Sequence, residues 1–131
     1  ESQLLVQSTC KINSMIDISD GLVQDLHHIC KQSGTGALIC EEKLPQSHAF
    51  SKVCADNNLN PAPFILNGGE DYELLFTLPA DGVKNLYRQF EKAEALVTHI
   101  GEITQPSKKV SLLKKNGKRE ILRQSSGFNH F

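Results

Sequence analysis

The apolar and polar positions of the chain fall into segments of alternating period. Met15-Ile16-Asp17-Ile18-Ser19-Asp20-Gly21 is a short apolar run that carries two carboxylates and a hydroxyl and breaks at glycine. It predicts a strand end turning into a helix. Over residues 20–33, Leu22, Leu26, Ile29 and Cys30 recur at helical spacing, and Gly34 is placed to end that helix as a C′ residue. Residues 36–41 follow as a strand, with Ala37-Leu38-Ile39-Cys40 a continuous apolar run of the kind buried on both faces. Strand, helix and strand in succession predict a crossover unit.

A weaker helix is expected over 47–57, with Ser47 as its cap and Phe50, Val53 and Cys54 on one side. Residues 57–63 contain two prolines and read as a loop leading to Asn67. Asn67-Gly68-Gly69-Glu70-Asp71-Tyr72-Glu73-Leu74-Leu75-Phe76-Thr77 then passes from a glycine pair through a group of acids into a strand, with Tyr72, Leu74 and Phe76 on one face. Val83, Leu86, Tyr87 and Phe90 form a helix stripe of core residues, and residues 96–100 read as a strand ending at Gly101. Residues 108–113 and 118–122 flank Asn116-Gly117, a two-residue hairpin signal. Leu4-Leu5-Val6 is too short to assign, and the polar stretch to Asn13 reads as the end of a linker, so the chain is expected to begin at a domain boundary. This order of elements predicts an α+β or α/β layered domain with a mixed sheet covered by helices.

The length, 131 residues, fits one domain with a single core. A formal net charge of −1 provides no broad field for nucleic acid or an anionic membrane, so any anion must be bound locally. The lysines and arginine around the hairpin (Lys108, Lys109, Lys114, Lys115, Lys118, Arg119) read as a solvated edge. Cys10, Cys30, Cys40 and Cys54 lie far apart with no C-x-x-C pair, and there is no signal peptide or long apolar run, which together suggest reduced thiols in the cytoplasm. His27 and His28 point about 100° apart on their helix, so they cannot share a metal and read as surface or packing residues; His48 is expected to face solvent.

Candidate chemistry concentrates in two stretches. Where a strand turns into a helix, unpaired backbone N–H groups and the positive end of the helix dipole suit phosphate oxygens. Asp17 and Asp20 would hold Mg²⁺, a hard cation that takes few protein ligands and keeps its waters and nucleotide oxygens. The same residues also fit an ordinary helix N-cap at Ser19 or Asp20. Gly68-Gly69 permits close backbone approach, and Glu70, Asp71 and Glu73 must either face water or meet cations and donors. Neither G-x-G-x-x-G nor the Walker motif occurs, which excludes those nucleotide-binding designs.

Taken with Gly127-Phe128-Asn129-His130-Phe131, the stretches M-I-D-I-S-D-G-L and G-G-E-D-Y-E-L make the chain closely resemble the carboxy-terminal half of thiamine-monophosphate kinase. D-x-S-D-G by itself is shared with the wider superfamily of aminoimidazole-ribonucleotide synthetase, selenophosphate synthetase and the hydrogenase maturation factors; G-G-E-D-Y-E-L discriminates. The resemblance implies a three-layer α/β/α-type domain with a mixed sheet, and ATP- and Mg²⁺-dependent phosphorylation of thiamine monophosphate to thiamine diphosphate without a covalent enzyme intermediate. By the same resemblance, Asp17 and Asp20 match metal ligands, Ser19 an ATP contact, Glu70 a substrate-binding position and Phe128 the terminal aromatic that contacts the thiamine moiety. Relatives often carry aspartate where Asn129 stands. The resemblance further implies an absent amino-terminal domain that completes the site and builds a homodimer, so that the present chain is expected to fold alone without kinase activity. The rival readings are another ATP-dependent enzyme of the superfamily, such as a synthetase that activates an amide oxygen or a selenophosphate synthetase-like enzyme, and a non-catalytic ligand-binding domain.

Overall fold

The structure, a computed structural model, describes residues 2–69, 73–106 and 109–124. In chain order the elements are α1 (Ser2–Gln7), β1 (Ser14–Asp17), α2 (Leu22–Ser33), β2 (Gly36–Cys40), α3 (His48–Asp56), α4 (Ala62–Asn67), β3 (Leu74–Thr77), α5 (Val83–Lys92), β4 (Gly101–Thr104), β5 (Val110–Leu113) and β6 (Arg119–Ile121). The class is α+β with a mixed sheet, as the segment order predicts.

Helix α2 is the centre of the fold. Its Leu22, Val23, Leu26, Ile29 and Cys30 are buried, and their spacing lays one apolar stripe along the helix. On one side this stripe meets Ala37, Ile39, Val110 and Leu112 of the sheet, and on the other Leu66 and Leu75. Gly34 ends the helix in the left-handed region (φ 65°), where its N–H and that of Thr35 both donate to the Cys30 carbonyl. Cys10, Cys30, Cys40 and Cys54 are free, and burial pushes the Cys30 thiol up against a weaker opposing effect of Thr35.

The strands form two separate sheets. The larger runs β4-β2-β5-β6, with β2 antiparallel to β4 and parallel to β5; the smaller is the antiparallel ribbon β1-β3. The crossover unit read from β1, α2 and β2 is therefore absent, because β1 pairs with β3 (Asp17 opposite Leu74) rather than joining the sheet of β2. The ribbon divides two cores. Ile16 and Leu75 pack towards α2, whereas Leu74 and Phe76 face a second cluster built on Leu5, Leu86 and Phe90. Tyr72, expected on the face of Leu74 and Phe76, lies outside the described residues.

Four boundaries differ from expectation. The opening stretch is not a linker: α1 packs on α5 through Leu5, and Asn85 and Gln89 donate to the Thr9 hydroxyl at 2.9 and 3.2 Å. The loop expected over 57–63 gives way early to α4, because Pro61 and Pro63 sit at the start of the helix, where a missing N–H costs nothing. The strand placed at 96–100 begins at Gly101 instead. Leu96 is 91% exposed, while Val97 packs on the Leu5 cluster and Ile100 on the α2 core, so the run is split between two cores instead of lying along one sheet. Gly101, opposite Ile39, comes so close to the Leu38 carbonyl that any side chain would collide with it.

Finally, the hairpin closes with three residues, not two. The Lys114 N–H donates to the Lys118 carbonyl (2.8 Å), that of Gly117 donates back to Lys114 (2.9 Å), and only Gly117 of the loop has positive φ (83°). Ser47 caps α3 as expected, accepting from the Phe50 N–H at 3.1 Å; Cys54 is buried there while Val53 stays 55% exposed. No helix among the described residues is long and apolar enough to cross a membrane.

Candidate functional site

The two signature stretches meet at the end of the ribbon. Strand β1 ends at Asp17, and the next residue, Ile18, donates its N–H to the Glu73 carbonyl at 2.8 Å. Each strand of the ribbon thus delivers one signature stretch to the same place. Asp17, Ser19 and Asp20 are all exposed there.

Two glycines allow the close approach. Gly21 adopts φ 124°, ψ 151°, a region essentially closed to other residues, and a Cβ on it would lie 3.2 Å from the Asn67 carbonyl oxygen. A Cβ on Gly69 would come within 2.7 Å of the Ser19 carbonyl oxygen. Backbone rather than side chain fills both gaps. Glu70 and Phe128, the expected substrate contacts, lie outside the described residues, as do Asp71, Lys108 and Asn129.

The backbone amides of the first stretch have a partner that sequence reasoning missed. Asp25, on the first turns of α2 and only 2% exposed, accepts from the Ser19 N–H at 2.9 Å and the Asp20 N–H at 3.1 Å, both at Oδ2. Charge-assisted bonds of this kind offset the cost of burying the carboxylate. An internal anion thus occupies the Ser19 and Asp20 donors, which precede the helix; the expectation for phosphate oxygens concerns the first N–H groups of α2 itself, from Leu22 on. A signal was available: side chains on a helix lean towards its N-terminus, so an acid on the first turns points back at the preceding loop.

Asp25 also stands in a cluster. One ligand atom each from Asp20, Asp25 and His28 lie within 4.8 Å of one another. Asp17 is outside that trio, so of the two expected metal ligands only Asp20 is drawn into it. The reading of both histidines as surface or packing residues holds for His27, whose Nε2 pairs with the Leu122 carbonyl at 2.8 Å; His28, three positions after Asp25 on the same helical face, belongs to the cluster. Two carboxylates so close to one another favour a cation, and the oxygen donors of Asp17 and Asp20 suit a hard one. At the hairpin, Glu120 approaches Lys114 to 2.8 Å and raises its pKa, and both side chains stay half in solvent, as a charged edge requires.

Known proteins share this sequence pattern and fold. The family model for the AIR synthase related protein, C-terminal domain, matches residues 1–114. The thiamine-monophosphate kinase of Buchnera aphidicola subsp. Schizaphis graminum is 42% identical over 124 residues, covering 91% of this chain and 36% of that protein. That of Escherichia coli K12 is 53% identical over 68 residues, covering 51% of this chain and 20% of its own length. Among solved structures, AaThiL complexed with AMPPCP and TMP superposes with a TM-score of 0.66 at 34% identity, over 92% of this chain and 34% of that one. Escherichia coli HypE reaches a TM-score of 0.76 at 20% identity, over 96% and 38% of the two chains, and so shares the fold. The chain spans little more than a third of the Buchnera relative's length. The match to the family model over most of the chain and the agreement in fold lead to one conclusion: the chain belongs to the family of the AIR synthase related protein, C-terminal domain.

Proposed function

We propose that this chain is the carboxy-terminal half of a two-domain thiamine-monophosphate kinase, which transfers the γ-phosphoryl group of ATP to thiamine monophosphate and yields thiamine diphosphate in the cytoplasm. The observation that carries the reading is the contact between the two signature stretches, Gly69 packed on the Ser19 carbonyl, in a chain whose relatives bear that name. Phosphoryl transfer asks for positioning and charge neutralisation more than for a nucleophile of the protein's own. Asp17 and Asp20 would hold Mg²⁺, which supplies charge neutralisation on the phosphate oxygens. Ser19 contacts the nucleotide, Glu70 binds thiamine monophosphate and Phe128 stacks on its thiamine moiety. An amino-terminal domain supplies the remaining metal ligands and closes the cleft against water, and a second subunit joins through it as a homodimer.

The test is Asp20→Asn in the two-domain protein. Loss of a hard anionic ligand should remove most thiamine diphosphate formation while the thermal melt stays cooperative. Normal turnover at saturating Mg²⁺ would take Asp20 out of the metal set. Glu70→Ala should weaken thiamine monophosphate more than ATP; equal weakening would reduce Glu70 to a structural role.

A further inference from the structure

We propose that Asp25 is the positioning residue of this site: its buried carboxylate clamps the Ser19 and Asp20 amides and so fixes the nucleotide contact and the metal ligand relative to each other. The inference rests on the functional reading above. Oδ2 of Asp25 receives two N–H donors, at 2.9 and 3.1 Å, from adjacent residues, and the side chain is almost wholly removed from water. An oxygen so engaged is poorly placed to serve a metal directly. What it does instead is turn two successive amides inward, leaving the Ser19 and Asp20 side chains exposed.

The device needs both anchors of the loop. Ile18 is tied to Glu73 by its backbone, and Gly21 is wedged against Asn67, so residues 19 and 20 span a gap between two fixed points. Without a central tether, those two residues would hold their conformation by sterics alone. Asp25 provides the tether from a rigid helix, and its own N–H donates to the Gly21 carbonyl at 3.0 Å, which ties the clamp to the loop it holds. A residue that orients a metal ligand from behind commonly changes metal affinity about 10- to 100-fold when removed.

The test compares Asp25→Ala with Asp25→Asn in the two-domain protein. The asparagine side-chain oxygen can accept from the same two amides without a charge. Three readouts are taken: hydrogen exchange of the Ser19 and Asp20 amides, half-saturation by Mn²⁺ as the metal probe, and the kinetics of thiamine diphosphate formation. For Asp25→Ala, exchange at both amides should accelerate, the Mn²⁺ half-saturation should rise about tenfold or more, and kcat should fall while KM for thiamine monophosphate stays unchanged. Asp25→Asn should restore the protection and most of the Mn²⁺ affinity. The inference is overturned if Asp25→Ala leaves the exchange unaltered, or if it frees the amides while Mn²⁺ binding stays as in the wild type. It is equally overturned if the asparagine variant is as impaired as the alanine one, since the charge rather than the acceptor would then matter, or if the wild-type protein binds no Mn²⁺. Wild-type protein that binds Mn²⁺ and yet makes no thiamine diphosphate, with Asp25→Asn restoring both the protection and the Mn²⁺ affinity lost in Asp25→Ala, supports the clamp and overturns only the kinase reading.

Discussion

Gly21 and Gly117 both turn the chain at positive φ, 124° and 83°, yet their surroundings have nothing in common. Around Gly21 a methyl group would press on the Asn67 backbone at 3.2 Å, whereas around Gly117 there is open space out to 4 Å. The hydrogen bonds differ in the same sense. The hairpin turn is satisfied mostly from within, by Lys114, by Lys118 and by the Asn116 side chain, which accepts from the Lys118 N–H at 2.9 Å; its single outside partner among the described residues is Glu41, whose Oε2 accepts from the Lys115 N–H at 2.8 Å. The D-x-S-D-G loop is satisfied from outside, by Asp25 on a helix and by Glu73 just before the start of the opposite strand. A turn closed largely by its own groups chiefly reverses the chain; a turn whose successive amides are taken up by distant groups has its side chains placed for something else.

The contrast can be broken in four places. Gly21→Ala should be the most damaging, because the ε-region backbone alone costs an L-residue of order 1–3 kcal/mol and the added methyl presses on Asn67. A denaturant melt of the variant within error of the wild type would show that the loop is as adaptable as the hairpin. Gly69→Ala should also lower stability, since its Cβ meets the Ser19 carbonyl oxygen at 2.7 Å, and by displacing that carbonyl it should lower turnover, about a hundredfold for a misplacement of about 1 Å. Unchanged kcat in the two-domain protein would mean that the two signature stretches do not act together. Gly117→Ala should cost about 1 kcal/mol for the left-handed backbone, with turnover and Mn²⁺ binding untouched; a kinetic defect there would make the hairpin part of the site. Smallest of all, Lys114→Met removes an exposed pairing with Glu120 and should leave the melting midpoint within experimental error at moderate salt. A resolvable drop would reveal a charge network at this edge.

The same contrast explains what could be read from the amino-acid sequence. Helix α2, its glycine stop, the Ser47 cap and the hairpin depend on neighbours a few residues apart, and each was legible. The pairing of β1 with β3 depends on residues some 60 positions apart, and nothing in Met15-Ile16-Asp17 says which of several apolar runs will lie beside it. Residues 96–100 have strand formers, but Leu96 is exposed and Val97 and Ile100 pack on different clusters, so tertiary context overruled propensity. In the site, Asp17, Ser19 and Asp20 were visible as a local motif, whereas Asp25 resembles any first-turn acid of a helix until its carboxylate is seen beneath the loop. The spacing of His28 to Asp25 is local, but it carries no message until the loop brings Asp20 beside both.

Strand β2 sits between partners that are made much later: Cys40 pairs with Leu113, about 70 residues downstream. At ribosomal speeds of about 5–20 residues per second, its apolar run must wait several seconds with both edges bare. Parallel pairing of such distant segments is intrinsically slow. The β5-β6 hairpin, by contrast, can form as soon as it emerges and then offer β2 a ready edge. The hairpin, made well after β2, is thus the template on which that strand finds its sheet, and truncations within β5 or β6 should yield insoluble chains rather than shortened folded ones.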